Sequence, residues 1–408
     1  MREKLCRLCK NTELYTILDL GYTPISDQIL TLSQLEQPET SYPITLNSCN
    51  KCGFCQLGYV VPPELMYNEN YSYDGSATTT LKNHHISMAN QICDDFKLKE
   101  KSLVMDIGSN AGVLLSGFRD KGMKVLGIDP SINVANIARK KGINVIGEFF
   151  SSKLAKKIRE EHGEVSVITG TNVFAHIDDL DDFFKAADIV LSNDGIIVIE
   201  APYLITLLDD LEYDTIYHEH LRYYSLHTLL QLFEKYDMEI FDCERISSHG
   251  GSIRVYAASK KQFKKSSNIE TMLNLEKKLN LSSIETYKKF ANRVYQNKSD
   301  LLSMLEKIKS SGKTIVGISA PARSSTVLNF CDINSSTLDY IAEKSPLKLR
   351  KFTPGMHIEV VDDSKLIQEQ PDYALLLSWH LADSIISKIQ NDGYKGKIIV
   401  PLPIPKII

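Results

Sequence analysis

The 408-residue chain contains no apolar run that approaches the length of a membrane span. Its opening residues, Met1-Arg2-Glu3-Lys4-Leu5-Cys6-Arg7, lack the apolar core of a secretory signal. A cytoplasmic protein with no membrane association is therefore expected. Basic residues are not in excess: 47 Lys and Arg stand against 51 Asp and Glu, a formal net charge of -4. That balance gives no support to a broad nucleic-acid-binding surface, and no nucleic-acid partner is expected. The G-x-G-x-x-G signature of dinucleotide folds is missing, as is the helical metalloprotease pattern H-E-x-x-H. Eight cysteines are too few for a disulfide framework in a chain this long.

What is present is a soluble globular composition, 43% hydrophobic and 24% charged, in a chain too long for one ordinary core. Two or three domains are expected. The pattern that organises them is Val104-Met105-Asp106-Ile107-Gly108-Ser109-Asn110-Ala111-Gly112. The apolar run before Asp106 is short and does not alternate, as in a parallel strand covered on both faces. Gly108 and Gly112 permit a sharp turn and the close approach of a ligand. A helix N-terminus follows, with free N–H groups. About twenty residues on, the strand Val125-Leu126-Gly127-Ile128 ends in Asp129, where an acid commonly grips ribose hydroxyls. The spacing G-x-x-x-G after Asp106 suits S-adenosylmethionine (SAM), which carries ribose, adenine and a methionine zwitterion but no pyrophosphate. Candidate cofactor residues are Asp106, Gly108, Asn110, Gly112, Asp129 and Asn172.

Residues 1–65 form a first unit. Cys6-x-x-Cys9 and Cys49-x-x-Cys52 are two knuckles, and four thiolates close a structural Zn2+ site with no open catalytic position. Cys55 offers an alternative pair with Cys52; the glycine after Cys52 favours Cys49 and Cys52. Residues 66–258 hold a tyrosine-rich connection, with Tyr71 and Tyr73, a helix with His84 and His85, and then alternating strands and helices. Strands are expected at 103–107, 124–128, 143–146, 165–169, 195–199 and 253–258, in a doubly wound α/β sheet with ligands at the carboxyl ends. Two segments fall at such ends: Thr171-Asn172-Val173-Phe174-Ala175-His176-Ile177, and Ile216-Tyr217-His218-Glu219-His220. The latter is the densest titratable cluster. Proton transfer suits it better than metal binding, since H-x-H places both rings on one face only in a strand; a polar surface turn is the plain alternative. Residues 259–309 read as one long amphipathic helix. Residues 310–408 return to α/β grammar, with strands at 314–318, 338–342, 373–377 and 397–400. Ser324 and Ser325 are N-cap candidates there, and Arg323 beside them can hold a phosphate.

Taken together, the motifs resemble the three-domain, zinc-containing, SAM-dependent C-methyltransferases that act on nucleotide-linked 4-keto deoxysugars. The resemblance covers nearly the full length. It rests on the cysteine knuckles, Leu18-Asp19-Leu20-Gly21 with Pro24, Val60-Val61-Pro62-Pro63, Tyr71-x-Tyr73 with His84, and the Asp106–Gly112 loop. It continues through Asn172–Ile177, Glu200-x-Pro202-Tyr203, Tyr217-x-Glu219-His220, His249-Gly250-Gly251-Ser252-x-Arg254 and Ala320-Pro321-Ala322-Arg323. The resemblance implies a Rossmann-like methyltransferase domain flanked by a zinc-binding and a C-terminal α/β domain. It implies a base that removes the proton beside a keto group, so that the resulting enolate carbon attacks the methyl of SAM. By motif, His220 is the base and Glu219 its partner. Tyr217 and Tyr71 are phenolic donors or relay groups, His176 orients the substrate, and Arg323 and Tyr203 bind it. Two departures stand out. The family loop carries Asp where this chain has Ala111, and lysine-glycine where it has Arg323-Ser324, which keeps the charge in a planar fork. The alternatives are a different acceptor, or a SAM-binding protein with reduced catalysis.

Overall fold

The computed structural model describes residues 3–67, 75–76 and 79–408. The chain divides into two units. One comprises the chain up to Pro62, the segment Ile205–His220 and Leu281–Ile408; the other comprises Pro63–Leu204 and Leu221–Asn280.

The second unit is built on a seven-stranded sheet among the described residues. From edge to edge its strands are Met238–Ile246, Ser252–Ser259, Leu191–Pro202, Val165–Thr171, Leu103–Ile107, Lys124–Ile128 and Val145–Ile146. The strands from Leu191–Pro202 onward pair in parallel, and the first two join antiparallel. Every residue of Leu103–Ile107 is buried, as its unbroken apolar pattern requires. Helices cover both faces. Met88, Ala89 and Ile92 of Thr79–Asp95 pack with Leu114 and Phe118 of Val113–Asp120 against Val104, Val167 and Val198. On the other face Leu115 meets Ala135 and Ala138 of Ile132–Lys140 and Val145. The doubly wound α/β class is thus observed. The strand Met238–Ile246 was not foreseen. Its pairing register shifts between Ile240 and Asp242, so Ile240 and Phe241 are both buried and the two-residue alternation is lost.

The first unit begins with the strands Leu14–Thr23, Tyr42–Cys49 and Cys55–Leu57, paired antiparallel. It ends in another seven-stranded sheet among the described residues. The core of that sheet is the parallel set Glu359–Asp362, Ile341–Glu343, Ile315–Ile318, Tyr373–Leu376 and Lys397–Val400. Two expectations need correction here. Residues 259–309 are not one helix but two, Ser267–Lys278 and Ile284–Ser310. Asn280 takes a left-handed conformation, φ 53°, and Ser283 then caps the second helix by accepting from the Glu285 N–H at 3.2 Å. Ser324 and Ser325 are not N-caps. The cap of Ala322–Phe330 is Pro321, and both serines are buried inside the helix, with Ser324 donating back to the Pro321 carbonyl at 2.6 Å.

Gly112 shows how tightly the central turn is specified. Its φ is +73°, and a Cβ there would stand 3.0 Å from the Ala138 Cβ and 3.2 Å from Ile143. Gly112→Ala should cost roughly 1–2 kcal/mol for the left-handed backbone alone. The expected readout is a lower denaturant midpoint together with weakened SAM binding.

Candidate active site and metal centre

Four sulfurs converge in the first unit. Cys6, Cys9, Cys49 and Cys52 lie within 4.8 Å of one another, with Cys6–Cys52 and Cys9–Cys49 both at 3.6 Å. Tetrahedral zinc with sulfur ligands requires edges of about 3.8 Å, so the donor set and its spacing fit the ion. Cys55 is turned elsewhere and donates to the Tyr287 hydroxyl at 3.4 Å. The Cys9 N–H points at the Cys6 sulfur at 3.4 Å, as expected around a thiolate.

In the second unit the loop after Leu103–Ile107 is tied by its own acids. Asp129 accepts from the Asn110 N–H at 2.8 Å and the Ser131 N–H at 2.9 Å. Asn110 Oδ1 in turn accepts from the N–H groups of Gly75 and Ala111. Gly108 holds φ +67°, and a Cβ on it would stand 2.7 Å from the Val173 side chain. Asp106 is buried and accepts from the Thr169 hydroxyl at 2.7 Å. Burial pushes its pKa up to about 7, against the opposing Thr169 bond. Asn172, at φ 54°, donates from Nδ2 to His249 Nδ1 at 2.9 Å, and its buried Oδ1 meets no partner among the described residues. Carboxylates and an unmet amide oxygen suit a cofactor bearing ribose hydroxyls and an ammonium group, so the residues present fit SAM. Ala111 is itself buried, and the loop bonds run through Asn110 and Asp129.

A polar network lies at the carboxyl end of the same sheet. Glu200, fully buried, pairs with Arg254 at 2.5 Å and with His84 Nε2 at 3.0 Å. Burial raises its pKa, but His84 and Arg254 outweigh that and leave it lowered. The quoted motifs included these three residues without assigning them a role. The available signal was an acid ending an apolar strand. Nearby, His176 Nδ1 is 2.9 Å from the Tyr67 hydroxyl, with the rings stacked at 5.9 Å. Leu221 and Arg222 bond the carbonyls of Ala175, Ile177 and Asp178 and so fix this loop. The Tyr203 hydroxyl donates to buried Glu276 at 2.9 Å.

The segment Ile205–His220 belongs to the first unit. Asp214, fully buried, receives Arg323 in a two-pronged contact at 2.7 and 2.8 Å and Trp379 Nε1 at 2.7 Å. Glu212 adds a weaker contact to Arg323 at 3.4 Å, and burial pushes its pKa up to about 7. Arg323 therefore clamps the turn Tyr213–Thr215. The turn aims the Thr215 carbonyl at His220 Nδ1, 2.8 Å away. A carbonyl only accepts, so Nδ1 of the neutral ring carries the proton, and Nε2 accepts from the Tyr217 hydroxyl at 3.1 Å. His218, Glu219 and His220 are all buried rather than forming a surface turn. Tyr71 lies outside the described residues.

Comparison with known proteins gives three matching family models. A zinc binding domain matches residues 6–67, a methyltransferase domain 88–242, and a C-methyltransferase C-terminal domain 247–403. The C-methyltransferase NovU of Streptomyces niveus is 30% identical over 408 residues, covering 99% of this chain and 96% of its own. Among solved structures, magnesium protoporphyrin IX methyltransferase of Synechocystis PCC 6803 is 15% identical, with a TM-score of 0.36 over 46% of this chain and 90% of its own. A SAM-dependent methyltransferase of Clostridium acetobutylicum ATCC 824 is 16% identical, with a TM-score of 0.35 over 44% and 92%.

Two measurements test these sites. Purified protein should carry one zinc per chain by elemental analysis, and Cys9→Ser should lose the metal and lower the melting temperature. For Asp106 the raised pKa means that folding favours the protonated form. Its stabilising contribution is fully present below the ordinary value of 3.8 and is lost as pH rises through about 7. Denaturation from pH 4 to 8 should show this loss in the wild type and a flatter curve in Asp106→Asn.

Proposed function

The chain belongs to the three-domain, zinc-binding, SAM-dependent C-methyltransferases, and from that premise we propose that it methylates the carbon beside the keto group of a nucleotide-linked 4-keto deoxysugar. The observation that carries the reading is the Tyr217–His220–Thr215 chain of hydrogen bonds, which leaves a basic imidazole nitrogen on a phenol. Such a pair can take a proton from a carbon acid, directly or through the phenol.

When bound, SAM supplies an electrophilic methyl group on its sulfonium. The chain's own residues have the other tasks. His220 receives the proton from the carbon next to the carbonyl, with Tyr217 as the relay. The electron pair moves into the carbonyl to give an enolate, which Tyr71 is assigned to stabilise as a phenolic donor. Its carbon then forms the bond to the methyl group as the methyl–sulfur bond breaks; that electron pair goes to sulfur, which leaves as a neutral thioether, and the ketone is restored. Buried Glu219 serves the relay. His176, stacked on Tyr67, orients the acceptor. Asp129, Asn110 and the Asn172 amide oxygen hold the cofactor. Arg323 acts at one remove, by fixing Asp214 and the turn that aims Thr215 at His220. Tyr203 likewise acts through packing, on Glu276.

Methyl-labelled SAM incubated with a panel of nucleotide-linked 4-keto deoxysugars tests the reading. Label is expected on a ring carbon, accompanied by solvent hydrogen exchange at that position. His220→Asn should lower transfer at least about 100-fold with SAM affinity nearly unchanged. Label on oxygen, or on no member of the panel, would refute the assignment.

A further inference from the structure

The helix Thr79–Asp95 carries two adjacent histidines in unlike surroundings. His84 is matched to Glu200 at 3.0 Å. Both ring nitrogens of His85 are buried, and neither has a hydrogen-bond partner among the described residues. The charged groups around His85 pair with one another. Glu200 holds Arg254, which also reaches Glu244 at 2.9 Å and Gln91 at 3.2 Å. His249 Nδ1 is met by Asn172 at 2.9 Å and by Ser248 at 2.8 Å. Glu200, His84, His249 and Arg254 are the groups within electrostatic reach of His85. All belong to the unit that holds the cofactor loop. Glu200 and Asn172 stand at the carboxyl ends of Leu191–Pro202 and Val165–Thr171, where ligands of such sheets bind.

Two buried ring nitrogens left unmet are unfavourable unless something arrives to meet them. The chemistry of that group is constrained. Burial outweighs the pull of Glu200 and pushes the His85 pKa down to about 4, so the ring is uncharged at neutral pH. A neutral imidazole offers one N–H donor and one lone pair. Arg254 is shared between Glu200 and Glu244, so its charge is not left over to recruit an anionic partner. Hydroxyl groups both donate and accept, so a polyhydroxylated, uncharged ring is the complementary ligand.

We propose that His85 contacts the acceptor, hydrogen-bonding a ring hydroxyl of the sugar that is methylated. The assignment rests on the sugar reading of the function. It adds a specificity determinant to it: an acceptor lacking that hydroxyl leaves the imidazole unmet and is disfavoured, as in any site built around a substrate hydroxyl.

The test uses full-length zinc-loaded enzyme and the best acceptor of the panel, alongside analogues each lacking one ring hydroxyl. Wild-type turnover is measured first, then His85→Phe, with His85→Asn as a polar variant in case the first folds poorly. Melting temperature and the SAM dissociation constant serve as folding controls. His85→Phe is expected to raise acceptor KM about tenfold with SAM affinity unchanged, and His85→Asn to recover part of the loss. For one analogue, the preference of wild type for the hydroxylated acceptor should vanish in His85→Phe. Unchanged KM, loss of SAM binding, or an equal penalty on every acceptor would each overturn the proposal while leaving the sugar reading intact. Absence of wild-type turnover on the whole panel would remove the sugar reading, and this inference with it.

Discussion

A carboxylate without water needs partners, and in the unit that carries the cofactor loop Glu200 is the group that imposes this need. Its position, near the end of a central strand, is fully buried. An isolated charge there would be prohibitive, and removing one partner of a buried pair is far more damaging than removing a surface pair. Arg254 from the neighbouring antiparallel strand and His84 from the covering helix meet the need. One carboxylate thereby joins three elements: strand, strand and helix. It also fixes where His85, the next residue, must be.

The first unit solves a similar problem with Asp214. Arg323 takes both of its oxygens, and Trp379 adds a donor. Arginine rather than lysine matters in this place, because a planar fork can satisfy two oxygens at once and lie against an aromatic ring, as it does 5.2 Å from the centre of Trp379. The outcome is a rigid turn that presents the Thr215 carbonyl to His220. A carbonyl in that position settles which imidazole nitrogen is basic. Thus the guanidinium of Arg323, a phosphate-binding candidate in the sequence, is engaged by Asp214 in the folded protein.

The cofactor loop follows a third version of the same logic. Asp129 bonds the backbone of Asn110 and Ser131, so the acid at the end of the second strand organises the loop after the first. Ala111 is buried. Replacing an acid by alanine there leaves those backbone bonds in place.

The strand, turn and helix around Gly108 and Gly112 were legible in the chain, because left-handed backbone and close packing demand glycine at particular spacings. The four converging cysteines were legible because two C-x-x-C pairs have few uses other than holding a metal. The parallel strands could be read because burial on both faces leaves an unbroken apolar run. Other features belonged to tertiary structure alone. The Met238–Ile246 strand was hidden by a bulge that breaks its alternation. The division of residues 259–309 into two helices turned on a single left-handed asparagine. The partners of Glu200, Asp214 and Glu276 depend on residues far apart in the chain. Local pattern records which side chains a segment can bury. Which distant charge or hydroxyl meets them is decided only when the chain has folded.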